Sequence, residues 1–251
     1  MKLETLAIRA GADADPATGS VAPPIHLSTN FIHGPASEET YGYMYIRDKN
    51  PTQDRLETAL SALEGGEAAL AFSSGMGATS AFFQSQEPGS HVIIPEDVYV
   101  HVRLIATTHF KNWQLEFTTV DTQSIAAIAA AVRPNTRAIW AETPSNPQMK
   151  IMDIAAAANI AHQAGAYLVV DNTFATPVLQ RPLELGAVGG TRQRTAKCGA
   201  WRPADRLQRN LRRLVRQQFT ELGDRDPGLD VEQVPGSRRD RLGSEAVDRR
   251  L

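Results

Sequence analysis

The chain is predicted to be an α/β protein with a mainly parallel sheet. Three observations predict it. Short apolar runs alternate with helix-patterned segments, glycine and proline punctuate the joins, and polar residues stand at the end of nearly every apolar run. The alternation suits right-handed strand–helix–strand crossovers. In order, NPTQDRLETALSALEGG reads as a helix. Thr52 is its expected N-cap, Leu56, Leu60 and Leu63 share a face, and Gly65-Gly66 ends it. EAALAF is a strand, and SSGMGATSAFFQ is a glycine-bearing turn entering a helix. HVIIPED is a second strand, followed by a helix through His101–His109, and LEFTTVD is a third strand. IAAIAAAVRPNT is a helix stopped at Pro134, RAIWAETPSNP a fourth strand with its loop, IMDIAAAANIAHQAGA a helix, and YLVVDNT a fifth strand. Residues 1–50, with the turn signals PATGS and APP, read as an extended arm.

At 251 residues, 42% of them apolar, the chain can bury a core of one large domain. No apolar run approaches a membrane span, the N-terminus MKLETLAIRAG lacks a secretory apolar region, and the one cysteine, Cys198, excludes an internal disulfide. A cytoplasmic protein is the expectation. The net charge of −2 conceals two populations. Residues 1–190 carry 11 Lys/Arg against 19 Asp/Glu, whereas residues 191–251 carry 15 against 9. All 13 isoleucines precede residue 191, and 14 of the 21 arginines follow residue 190. A core-forming segment rarely omits isoleucine. The expected organisation is therefore an arm over 1–50, an incomplete α/β domain over 51–187, and a foreign tail over 188–251, irregular or partly helical and poorly ordered.

The strand ends collect the chemistry. Ser74-Gly75-Met76, Asp97 to Tyr99, Glu142 to Asn146 and Asp171 to Thr173 all follow apolar strands, and in open parallel sheets such ends surround the ligand crevice. The turn at Ser74-Gly75-Met76 exposes amides at a helix N-terminus and is suited to phosphate, or is a tight turn for steric reasons only. Asp171 ends a strand apolar enough to be buried. It is a helix cap, or the partner of a cationic ring nitrogen. Tyr99 is a stacking surface or half-buried packing. Arg47, within YGYMYIRDKNPT, is a bidentate phosphate ligand or an isolated surface arginine. A phosphate cradle, an arginine, a stacking tyrosine and a buried aspartate together complement pyridoxal 5'-phosphate, a phosphorylated cationic aromatic ring.

The pieces APPIHLSTNF, YIRDKNPT, LEGGEAALAFSSGM, ETPSNP and VVDNTFATPVLQRPLELGA run in order over residues 3–187. In them the chain resembles the Cys/Met-metabolism family of pyridoxal-phosphate enzymes, which includes cystathionine γ-synthase, cystathionine γ-lyase and methionine γ-lyase. The resemblance implies the large domain of fold-type I pyridoxal-phosphate enzymes and a transsulfuration activity, γ-elimination or γ-replacement on sulfur amino acids. It implies a dimer or tetramer in which Tyr45 and Arg47, from the 1–50 arm, reach the cofactor phosphate of a neighbouring subunit. It further implies phosphate-binding amides at Gly75 and Met76 beside Ser74, Tyr99 stacked on the ring and moving protons, and Asn146 near the ring hydroxyl. Asp171 would meet the pyridine nitrogen, with Thr173 beside it. No metal is implied. Tyr99 is followed by VHV, where relatives carry small residues, and YIRDKNPT favours the γ-synthase and γ-lyase branch over bacterial β-lyases.

After LELGA the family continues with a strand and a Ser-x-Thr-Lys-Tyr motif whose lysine forms the Schiff base. This chain reads AVGGTRQRTAKCGAW. Lys197 stands 26 residues after Asp171, with Thr195 two before it, and is the candidate left for that lysine. No apolar strand is expected to position it, so impaired activity is expected. A cofactor-binding remnant without turnover is the alternative. In the tail, RLQRNLRRLVRQQF places Leu207, Leu211, Leu214 and Val215 at helical spacing among arginines. It reads as a solvated charged segment, with a helix for nucleic acid or an acidic membrane surface as its rival. The arginine-rich, isoleucine-free composition matches a GC-rich gene read out of frame from about codon 188. Translating the coding DNA beyond that codon in the other two frames is expected to restore the lysine motif. If neither frame does, the frame-shift explanation fails.

Overall fold

The computed structural model describes residues 1–35, 38–191 and 197–201. Its helices are α1 (Leu3–Arg9), α2 (Pro51–Glu64), α3 (Gly75–Gln84), α4 (Val100–Thr107), α5 (His109–Asn112), α6 (Ile125–Ala131), α7 (Ile154–Gln163) and α8 (Thr176–Leu179). The strands are β1 (Ala68–Phe72), β2 (His91–Pro95), β3 (Glu116–Val120), β4 (Thr136–Glu142), β5 (Tyr167–Asp171), β6 (Gly189–Thr191) and β7 (Lys197–Trp201). They form one sheet in the order β1-β7-β6-β5-β4-β2-β3. Strands β3, β2, β4, β5 and β6 pair in parallel, while β7 is antiparallel to both β6 and β1. Two antiparallel steps restore the direction, so β1 runs with the parallel set. The carboxyl ends of β1, β2, β4 and β5 therefore share one edge.

Successive residues of the central strands face two separate cores, as expected of a parallel sheet covered on both sides. Val92, Ile94, Ala138, Trp140 and Val169 pack with Phe82, Phe83, Val102 and Phe110 on one face. Ile93, Ile139, Ala141, Leu168 and Val170 pack with Ile128, Ala157 and Ala161 on the other. A one-residue slip would exchange the two sets, which pins the register.

Three readings of the sequence are revised. The N-cap of α2 is Asn50, not Thr52; its side chain accepts from the amides of Thr52 at 2.8 Å and Gln53 at 3.3 Å. Pro51 explains the difference, because it takes the first helical position and holds the residue before it extended. The helix ends on Gly65 in the left-handed region, φ 70°. The arm is not wholly extended, since α1 forms within it and Gly11 approaches the Arg55 carbonyl of α2 too closely for a Cβ atom. Finally, the sheet continues past residue 187. Gly189 and Gly190 pair with Val169 and Val170, and β7 fills the slot beside β1. A ladder uses only backbone groups, so this slot accepts a segment with little apolar character. The remaining tail, with Thr195 and the RLQRNLRRLVRQQF segment, lies outside the described residues. Among the described residues, no helix is long and apolar enough to cross a membrane.

At the amino edge of β2, the fully buried His91 sets its two ring nitrogens against the hydroxyls of Thr136 and Thr118, each at 2.8 Å. Burial, followed by the nearby Arg133 cation, pushes its pKa below the usual 6.5. A histidine lowered on folding stabilises the protein in its neutral form. That contribution is complete above about pH 6.5 and is lost as pH falls through the folded-state value. Urea unfolding of the wild type and His91→Gln between pH 7.5 and 5 is expected to show a steeper acid loss in the wild type; parallel curves would refute this. Separately, Ile139→Ala is expected to cost about 2–5 kcal/mol in the same assay, because the site is enclosed on all sides.

Candidate active site at the carboxyl edge of the sheet

The parallel pairing of β4 with β5 sets Glu142 directly opposite Asp171. Both strand ends are buried, with Glu142 5% and Asp171 3% exposed. Beyond them opens a cleft of about 360 Å³ lined by Tyr99, Glu142, Asn146, Asp171, Thr173, Phe174 and Thr176. Four residues expected from three strand ends, Tyr99, Asn146, Asp171 and Thr173, thus meet in one cavity, large enough for a small cofactor.

Each wall has its own support. Asp171 Oδ1 accepts from the Thr173 amide at 3.1 Å and the Thr173 hydroxyl at 2.5 Å, so a short turn fixes both side chains. Glu142 Oε2 accepts from the Tyr99 amide at 2.8 Å, and Oε1 accepts from the Asn146 amide at 3.0 Å. The loop after β4 is fastened at several points. The Ser145 hydroxyl donates to Asp97 Oδ2 at 2.5 Å, the Met152 amide donates to the Thr143 hydroxyl at 3.0 Å, and Gln180 Nε2 donates to the Thr143 carbonyl at 2.9 Å. Peptide bonds 143–144 and 146–147, each preceding a proline, are cis. The ring of Tyr99 stands 5.1 Å from that of His101.

The cleft is acidic. Burial pushes the Glu142 carboxyl up to about 7, with Asp171 and then Asp97 adding to the effect and the Tyr99 and Asn146 amides opposing it. Asp97 is itself buried, and its Oδ1 finds no hydrogen-bond partner among the described residues. Three buried carboxyls on neighbouring strand ends favour a cationic occupant. This is the property a protonated ring nitrogen needs, so the residues present fit pyridoxal phosphate.

Tyr45, Arg47, Ser74, Gly75 and Met76 are not among the residues that line this cavity. Ser74 caps α3, its hydroxyl accepting from the Gly77 amide at 2.9 Å. The amides of Gly75 and Met76 belong to the first turn of α3 and have no carbonyl within the helix to bond. They lie on the same sheet edge, with β6 and β7 between them and Asp171. The backbone of Lys197 opens β7 opposite Phe72, which places it on this edge as well. Tyr45 and Arg47 do not line the cleft. Tyr45 forms a bridge with Asn30, and the Arg47 guanidinium lies 4.5 Å from the centre of the Tyr45 ring. The sequence marks Glu142 only as the start of a polar strand end and does not single out Phe174 or Thr176. The available signal for Glu142 was that RAIWAE and YLVVD both end an apolar run in an acid.

The family model for Cys/Met metabolism PLP-dependent enzymes matches residues 4–188. The chain belongs to this family. It is 44% identical over 187 residues to a cystathionine gamma-lyase of Bacillus subtilis, covering 74% of this chain and 49% of that protein. It is also 44% identical over 184 residues to a cystathionine gamma-synthase of Mycobacterium bovis, covering 73% and 47% respectively. The crystal structure of metB from Corynebacterium glutamicum superposes with a TM-score of 0.83 at 36% identity, covering 87% of this chain and 60% of that one. The chain spans about half the length of the curated relatives it matches. The family match ends at residue 188, where the composition changes.

A pH dependence follows from Glu142. Its folded-state value of about 7 lies above the ordinary 4.5, so the folded protein holds this proton more tightly than the unfolded chain. The resulting stabilisation is complete below about pH 4.5 and is lost as pH rises through about 7. Glu142→Gln, which cannot ionise, is expected to gain on the wild type as pH rises from 5 to 8, by at most about 1.4 kcal/mol per pH unit. Unfolding free energies of the cofactor-free proteins across that range test it; a constant difference would contradict the assignment.

Proposed function

We propose that the cleft binds pyridoxal 5'-phosphate and that the chain derives from, and in part retains, a transsulfuration site for γ-elimination or γ-replacement on sulfur amino acids of the cystathionine type. One observation carries the reading: Tyr99, Asn146, Asp171 and Thr173 come from three different strand ends and line a single acidic cleft. When bound, pyridoxal phosphate supplies an electron-withdrawing ring that stabilises negative charge developing on the substrate's α-carbon. The chain's own residues divide the remaining tasks. Asp171 holds a proton on the ring nitrogen through its carboxylate, and Thr173 keeps that carboxylate oriented. Tyr99 offers its ring face as a wall and its hydroxyl for proton movement, and Asn146 donates from the loop after β4. The Gly75 and Met76 amides, with Ser74, are suited to the phosphate.

Half-buried Tyr45 and exposed Arg47, both on the arm and outside this cleft, fit a role in the site of a second copy. This reading makes the active assembly a dimer or tetramer joined through residues 1–50. Ile8, Val21, Ile25, Leu27 and Ile32 are all more than 70% exposed on that arm, as an interface between copies requires.

A second reading is supported by the end of the family match at residue 188, ahead of Lys197. In it the cleft binds the cofactor without covalent attachment or turnover. Titrating the purified chain with pyridoxal phosphate and adding borohydride separates the two. Binding is expected in the micromolar range or weaker, with Asp171→Ala lowering affinity at least about tenfold, on the order of 1.4 kcal/mol. Borohydride fixation to the peptide holding Lys197 selects the enzyme; binding without fixation selects the remnant. No binding at all refutes both.

A further inference from the structure

The two oxygens of Glu142 point to different loops. Oε2 receives the Tyr99 amide, 43 residues earlier and beyond β2, and Oε1 receives the Asn146 amide, four residues later and beyond β4. Both bonded residues line the cleft, as does Glu142 itself. The carboxyl is therefore a cross-link between two loops that line the cleft, made by a side chain anchored at the end of a central strand. Neither amide has another acceptor among the hydrogen bonds of the described residues. Tyr99 is the N-cap of α4, where an amide has no helical carbonyl to bond, and Asn146 sits in the non-repetitive loop between Ser145 and a cis proline. Both bonds are part-buried, so an amide left without its acceptor loses a partner that water replaces only when the loop opens.

The residue type is constrained by this geometry. A carboxylate accepts on both oxygens, whereas a glutamine offers one acceptor and presents an NH₂ to the second amide. An apolar side chain accepts neither. A buried acid opposite Asp171 is electrostatically costly, so its presence calls for a compensating use of both oxygens.

We infer that Glu142 is a positioning residue, whose carboxyl holds the Tyr99 and Asn146 loops at the separation that pyridoxal phosphate requires. The inference rests on the proposed function for its ligand and on geometry alone for the cross-link, so the two halves can fail separately. The test uses the full chain and two variants. Amide hydrogen exchange read by NMR is expected to rise at least about tenfold at both Tyr99 and Asn146 in Glu142→Ala, and at one of them in the nearly isosteric Glu142→Gln. Core amides such as those of Val92 and Val169 are expected to stay protected. Affinity for pyridoxal phosphate, followed by absorbance, is expected to fall about tenfold in Glu142→Ala, with Glu142→Gln between it and the wild type. A merely structural residue would instead raise exchange throughout the sheet. Unchanged exchange at Tyr99 and Asn146 in both variants overturns the cross-link, and so does a general rise. Selective exchange with unaltered cofactor affinity overturns the positioning role. Absence of binding by the wild type overturns the proposed function itself, and the ligand half of the inference with it.

Discussion

Burying carboxyl groups side by side at the end of a parallel sheet is the constraint around which this molecule is arranged. Asp171 and Glu142 face each other on β5 and β4 because two apolar layers leave the strands only one register. Such a pair is tolerated only where hydrogen bonds, a proton or a nearby cation offsets the loss of water. The fold supplies the first through Thr173, Tyr99 and Asn146. It supplies the second by raising the Glu142 carboxyl to about 7. The cationic ring of a cofactor fits as the third.

The same hydrogen bonds give the cleft its walls. Loops that carry chemistry are more mobile than the elements they join unless something fastens them. Here the fastening is done by polar side chains: Ser145 on Asp97 and Gln180 on the Thr143 carbonyl join different strand ends, while the Thr143 hydroxyl accepts from the Met152 amide and Gln180 donates to Asn172 within their own loops. The helices behind them need no polar chemistry. Alanine-rich α7 lies flat on the sheet through Ala157, Ala158 and Ala161, and the aromatic cluster of Phe82, Phe83, Phe110 and Trp140 fills the opposite face.

Residue 188 marks a change in composition without ending the sheet. The family match stops there, isoleucine is absent beyond it, and yet β6 and β7 continue the ladder between β5 and β1. Backbone pairing explains how both can hold. The gap between β5 and β1 presents unpaired amides and carbonyls from both neighbours, and two short segments satisfy them whatever side chains they bear. What the altered composition removes is the side-chain set expected at that place, above all the hydroxyl–lysine motif. The backbone of Lys197 pairs beside β1, opposite Phe72.

Much of the architecture was legible from the residues alone. Apolar runs of five or so residues, flanked by helix patterns, specified the alternation of strands and helices, and an acid or glycine turn after each run located the ligand edge. These are local properties, and local pattern determines them. The α2 cap went to Asn50 instead of Thr52, because Pro51 shifts the first helical turn in a way that the sequence does signal. The helix at Leu3–Arg9 was not legible, since it buries no residue of its own and is held by packing on α2. Nor did the sequence alone establish which strand ends become neighbours. That Glu142 stands opposite Asp171, and that its two oxygens join Tyr99 to Asn146, follows from β2, β4 and β5 lying side by side in the sheet. Strand order is settled by long-range packing of whole layers, and no spacing along the chain records it.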